Sequence, residues 1–304
     1  MFDLQGHRGA RGLWPENTLS GFARTIELGV STLELDCGVT RDRVVVVSHD
    51  PRLNAEHTRD AQGHFLERPG PAIWSLSFLE LQQYDVGRIR PGSALAAEFP
   101  EQQPVDGERI PRLAEVLRLV RERGRAQVHV NIEVKIFPDR PDLTMAPEPF
   151  VQCLKRDLAA TASAALVTIQ SFDWRVLHAV HRELPGVATA ALTDQQPGED
   201  TVQFSAAQPS PWLGGLDPAD YGKSVPELVK AIGAGTWAPD YRDLNAARVA
   251  EAHALKLRVV PWTVNDPADM ANLLAQGVDG IITDRPDRLR TLLLQQGRAL
   301  PVAP

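Results

Sequence analysis

Cysteine is scarce: Cys37 and Cys153 are the only two in 304 residues. Two thiols exclude both a disulfide-stapled scaffold and a Cys-rich zinc site. Long apolar runs are missing as well. The longest purely aliphatic stretch is Val44 to Val47, far short of the roughly 18 residues of a membrane-spanning helix. The start, Met1-Phe2-Asp3-Leu4-Gln5, shows neither a basic n-region nor an apolar h-region. That predicts no secretory signal and a cytoplasmic location, with the periplasm open if the natural start lies upstream. Clusters of Lys and Arg are also absent, and 32 basic against 39 acidic residues give a net charge of −7. Sequence-independent nucleic-acid binding rests on neutralising phosphates, so it is excluded as a function. What is present, 43 % hydrophobic and 23 % charged residues, is the balance of a soluble globular enzyme.

Short apolar runs alternate with segments of helical period from one end to the other. Parallel strands are expected at residues 2–7, 32–37, 127–134, 166–171, 187–192, 236–239, 258–264 and 280–283. Eight strand–helix units at roughly 38 residues each predict a single-domain (β/α)8 TIM barrel over residues 1–304. The alternative, an open doubly wound sheet, lacks its Gly-x-Gly-x-x-Gly turn after the first strand. Capping boxes are expected at Ser77 with Glu80 and at Ser224 with Glu227. Leu113, Val116, Leu117 and Val120 predict one buried helical face that stops at Gly124. Residues 51–111 hold seven Pro, five Gly and one convincing helix, and are taken as an insertion. Residues 194–226, with five Pro and four Gly, predict a long loop on the C-terminal face, either a lid or a surface excursion. A ninth apolar run, 43–49, follows the second strand after a tight turn. Parallel neighbours need a longer crossover, so this run must return antiparallel and bring His49 toward the barrel's upper face.

Alternation along a strand sorts side chains between the lumen and the helix layer. In His129-Val130-Asn131-Ile132-Glu133-Val134-Lys135 the aliphatic residues fall on even positions. His129, Asn131, Glu133 and Lys135 therefore line the lumen. Glu34 and Asp36 face inward from the second strand, as do Gln5 and His7 from the first. Cys37 faces the helices and is core filler rather than a nucleophile, and Cys153, beside Leu154, reads the same way. Three inward carboxylates on neighbouring strands repel one another and raise each other's pKa unless a cation neutralises them. Hard oxygen ligands without thiolates favour Mg2+ or Ca2+ over zinc, with Mn2+ a third candidate. His7 and His49 flank this site. His57, His64, His178, His181 and His253 are expected in solvent, and His129 as a hydrogen-bonded core residue. Arg8 and Lys135 supply an anion clamp. One cation, two clamping residues and two histidines suit metal-assisted phosphodiester hydrolysis, with one His as base and the other as acid.

Several motifs resemble one known family. Gly6-His7-Arg8-Gly9-Ala10 and Pro15-Glu16-Asn17-Thr18 resemble the opening of the glycerophosphodiester phosphodiesterases. The likeness continues through Leu33-Glu34-Leu35-Asp36, Ser48-His49-Asp50, Asn131-Ile132-Glu133-Val134-Lys135 and Gln170-Ser171-Phe172. It ends with Pro261-Trp262-Thr263-Val264-Asn265 and Asp279-Gly280-Ile281-Ile282-Thr283-Asp284-Arg285-Pro286. The resemblance implies a distorted TIM barrel that splits glycerophosphodiesters into glycerol 3-phosphate and an alcohol. It implies one divalent metal at Glu34, Asp36 and Glu133, and His7 and His49 as the acid–base pair. Arg8 and Lys135 would hold the phosphate, and Glu16 would position His7. Asn17 would support the site or cap the first helix, and Phe172 and Trp262 would wall the glycerol side. Two departures, Asp42-Arg43 where Asp-Gly is usual and Arg112 where Thr is usual, lie away from this chemistry. Phosphatidylinositol-specific phospholipase C and sphingomyelinase D share the two histidines, but the 131–135 and Trp262 motifs favour the glycerophosphodiester group. A catalytically idle phosphodiester-binding barrel is the rival from outside the enzymes.

Overall fold

The computed structural model describes residues 2–124 and 127–301. Its strands are β1 (Asp3–Gly6), β2 (Thr32–Val39), β3 (Val45–Val47), β4 (His129–Val134) and β5 (Val167–Ser171). They continue as β6 (Ala188–Thr193), β7 (Thr236–Pro239), β8 (Arg258–Val259) and β9 (Gly280–Thr283). All but β3 are parallel, and neighbours run β8-β7-β6-β5-β4-β2-β1-β9. The Asp279 N–H donates to the Val259 carbonyl at 2.9 Å and the Val264 N–H to the Ile282 carbonyl at 3.0 Å. These bonds bring the two sheet ends together in a nearly closed, eight-stranded parallel barrel. The last inner strand before β9 is shorter than the expected 258–264 because Pro261 has no N–H to donate. Its carbonyl still accepts from the Ile282 N–H at 2.9 Å.

Alternation sets the layers. Leu33, Leu35 and Cys37 on β2 and Val130, Ile132 and Val134 on β4 are buried against the helices. Leu113, Val116, Leu117 and Val120 form the buried face of helix Leu113–Arg123, as their spacing requires. Both cysteines are buried and free. His129 departs from expectation: it is exposed, because it opens β4 at the barrel floor, where the alternating pattern gives a side but not a depth. No helix among the described residues is long and apolar enough to cross a membrane.

The return strand β3 pairs antiparallel with β2, Cys37 opposite Val47 and Val39 opposite Val45. Arg43, standing where glycine is usual, takes a left-handed φ of 61° to close this turn, a backbone that costs about 1 kcal/mol without glycine. Beyond it, residues 51–111 hold two short helices, Phe78–Leu81 and Ala94–Glu98, rather than the single one expected. The Ser77–Glu80 capping box is complete. Ser224 caps helix Val225–Ala231 by accepting the Glu227 N–H, but the box is incomplete because the Ser224 N–H donates to the Tyr221 carbonyl and not to the Glu227 carboxylate. Val46, Leu53, Ile73, Leu81, Val86 and Ile110 pack into a second small core, separate from that of the barrel. The 194–226 loop is tied down where the Trp174 N–H donates to the Trp212 carbonyl at 2.8 Å.

Candidate active site

Strand β2 carries Glu34 and Asp36, the C-terminal end of its neighbour β4 carries Glu133, and the pairing of the two strands brings all three to one place. One carboxylate oxygen from each lies within 4.8 Å of the others, and all three residues are buried. Burial, with Asp36 and Glu133 nearby, pushes the Glu34 carboxyl well above its usual pKa. Burial also raises Glu133, although Lys135 Nζ sits 2.7 Å from its Oε1 and pulls the other way. Asp36 is held low: burial would raise it, but Arg8, His49 and Lys135 outweigh that. Among the described residues, its buried Oδ1 has no hydrogen-bond partner. Crowded carboxylates, one with an orphaned oxygen, fit a hard divalent cation.

Below them lies a bonded polar layer. Gln170 donates to Glu34 Oε1 at 2.9 Å, and Asn131 donates to Gln5 at 2.9 Å and to Gln170 at 2.8 Å. Above them, the chain leaves β1 through three left-handed residues, Arg8 (φ 50°), Gly9 (φ 75°) and Ala10 (φ 60°). Such strain gathers where function needs a particular backbone. Here it turns the Arg8 N–H onto Glu34 Oε2 at 3.0 Å. The Arg8 guanidinium lies 3.2 Å from Glu16 and 3.3 Å from Asp36. Burial would lower its pKa, but these acids raise it, so it stays charged. Glu16, for its part, is held at about 2, the charges of Arg8, His57, Arg11 and His49 overcoming its burial. Glu16 thus braces Arg8 rather than His7.

The two histidines are each held by a carboxylate through Nδ1. His7 Nδ1 is 2.6 Å from Asp284 Oδ1, and His49 Nδ1 is 2.8 Å from Asp50 Oδ1. A carboxylate accepting at Nδ1 favours the proton there and leaves Nε2 free of it. His7 Nε2 lies 3.9 Å from Glu34. Burial lowers the pKa of both rings, and Arg8 and Lys135 lower His49 further. Asn17 does not cap the first helix. Thr18 does so by accepting the Gly21 N–H, while Asn17 donates to Asp36 Oδ2 at 3.0 Å. Phe172 and Trp262 stand edge to face, 5.3 Å apart, beside Lys135. Of the site residues expected from the sequence, His7, Arg8, Glu34, His49, Glu133, Lys135, Phe172 and Trp262 line one open cleft of about 550 Å3, and Asp36, Glu16 and Asn17 do not.

Comparison with known proteins now bears on this geometry. The sequence model of the glycerophosphoryl diester phosphodiesterase family matches residues 7–288. The chain belongs to that family. It is an enzyme of the phosphoric diester hydrolases. It is 26 % identical to the glycerophosphodiester phosphodiesterase of Bacillus altitudinis, across 95 % of this chain and 96 % of that one. A solved structure from Silicibacter pomeroyi DSS-3, provisionally assigned to the same activity, is 33 % identical with a TM-score of 0.88, covering 98 % of this chain and 95 % of that one. A phosphodiesterase of Oleispira antarctica, solved with the product sn-glycerol 3-phosphate, shares the fold at 20 % identity and a TM-score of 0.69, covering 96 % of each chain.

Within this site, the sequence left five residues without a role: Asp284, Arg11, Asn265, Gln170 and His57. Asp284 holds His7 and is itself held by Arg11 Nε and Asn265 Nδ2, each at 2.7 Å. Gln170 holds Glu34. The available signal for Asp284 was its position, an acid one residue beyond the C-terminal end of a barrel strand. His57, expected in solvent, is half-buried beside Glu16, Asn17 and His49, and its Nδ1 is buried without a partner among the described residues.

Proposed function

We propose that this chain hydrolyses glycerophosphodiesters to glycerol 3-phosphate and an alcohol, with a divalent cation at Glu34, Asp36 and Glu133 and with His7 and His49 exchanging protons. The observation that carries it is two carboxylate-held histidines facing one buried acidic trio. When bound there, Mg2+, Ca2+ or Mn2+ would supply Lewis-acid withdrawal of negative charge from the phosphate. Arg8 and Lys135 orient the phosphodiester anion. Its charge also offsets theirs on His49, raising that ring toward its protonated form. His7, with Nε2 free, takes a proton from the attacking oxygen, either water or the glycerol hydroxyl beside the phosphate. As that oxygen bonds to phosphorus, the bond to the alcohol breaks and His49 protonates the departing oxygen. If the glycerol hydroxyl attacks, water opens the cyclic phosphate with the two histidines in exchanged roles. Phe172 and Trp262 wall the glycerol.

Activity toward glycerophosphodiesters is expected to vanish in chelator and return with added Mg2+, Mn2+ or Ca2+. His7→Ala and His49→Ala should each lose about 10²–10⁴-fold in kcat, and an activated leaving group should partly rescue the second. Full activity in chelator, or near wild-type turnover in both variants, would refute this function.

A further inference from the structure

A second, wider groove of about 1680 Å3 opens from the same reaction centre and shares His49, Glu133, Lys135, Phe172 and Trp262 with the first. Its far side is built by the 194–226 loop, which lays Trp212 against Phe172. The ring centroids of Phe172 and Trp212 are 6.5 Å apart at 81°, and those of Phe172 and Trp262 are 5.3 Å apart at 88°. Phe172 therefore stands nearly perpendicular to a tryptophan on either side, and together they make an aromatic corner. Phe172 already carries the Lys135 ammonium 5.8 Å from its centroid, so this wall takes positive charge.

The same loop lines the groove with Asp194, Glu199 and Asp200. The one guanidinium there, Arg140, is drawn toward Asp142 at 3.4 Å. Asp194 is only 6 % exposed. Its Oδ1 accepts the Gln196 N–H at 2.7 Å. Carboxylates lining a groove beside perpendicular aromatic faces suit an ammonium ion, which the ring quadrupoles and the negative charge attract together.

We propose that this groove receives the departing alcohol and selects alcohols that carry an ammonium group, quaternary above all, over neutral polyols of similar size. The proposal rests on the hydrolytic function given above. It assigns substrate preference to Trp212 and the acids of the 194–226 loop, leaving the reacting groups as they are.

The test compares kcat/KM for glycerophosphocholine and for neutral glycerophosphoglycerol, using the metal-loaded full chain. The wild type should favour the choline ester by roughly tenfold. Trp212→Ala should cut that ratio by roughly three- to thirtyfold, the range a cation over an aromatic face supplies, with the change in KM rather than kcat. Trp212→Phe should keep most of it. Glu199→Gln, at an exposed position where folding is not at stake, should lower the ratio in the same direction. Equal efficiency toward both esters in the wild type, or a ratio indifferent to Trp212→Ala and Glu199→Gln alike, overturns the selectivity and leaves the hydrolytic function standing. Cleavage of neither ester brings down both.

Discussion

His7 depends on a residue 277 positions away. Burial would raise the Asp284 carboxyl, but His7 and Arg11 hold it well below the usual range, so it stays ionised against the ring. An amide at the same place could offer either a donor or an acceptor and would no longer fix the tautomer. Asp284→Asn should therefore fold, lose at least about a hundredfold in kcat with little change in KM, and distort the acidic limb of the pH–rate profile. Unchanged turnover would show that Asp284 only packs. A different carboxylate, Asp194, is held at about 6, chiefly by burial and then by Asp240 and Asp243 against the Gln196 N–H. A carboxyl raised in the fold destabilises the fold only when ionised. The penalty is full above about pH 6 and disappears below the unfolded value near 4. Asp194→Asn should raise stability by on the order of 1–2 kcal/mol at pH 8 and by nothing measurable at pH 4. Thermal melts at the two pH values check this, and an equal gain at both would contradict it.

Among the elements, β3 has the most consequence for its size. Val45 and Val47 are buried in the barrel core, while Val46 between them belongs to the small core of residues 51–111. Three residues thus fasten residues 51–111, the segment read as an insertion, to the barrel by pointing alternate side chains into each core, and His49 follows two positions later. Val46→Ala should loosen the insertion at a cost of about 2 kcal/mol. Limited proteolysis within 51–111 and kcat should both report the change, while the far-UV signal of the barrel holds. Simultaneous loss of barrel signal would mean the two cores melt as one. The antiparallel return was legible in the sequence because a tight turn leaves no room for a parallel crossover. The lumen-facing carboxylates were legible because strand alternation is a local rule. What the sequence hid was set by contact rather than by pattern. Thr18 outcompeted Asn17 for the helix cap because Asn17 was drawn to Asp36 across the barrel. Glu16 went to Arg8 because Arg8 turned left-handed toward Glu34. Four- and five-residue helices in the insertion are too short to show a period.

At the scale of the molecule, β1 is flanked by β2 on one side and by β9 on the other, so the first strand waits for the last. The contact between His7 and Asp284 crosses that seam, and Arg11 and Asn265 meet on the same carboxylate. Contacts of such sequence separation form late, since the intervening loop must close first. A chain still emerging from the ribosome holds both histidines and all three carboxylates of the proposed mechanism by the time residue 135 has been made. It has no partner for His7 until some 150 residues later. On the mechanism proposed above, the barrel's seam is also its ignition: cleavage of phosphodiesters should begin when the cylinder shuts, and a chain stopped short of its final strand should stay chemically silent.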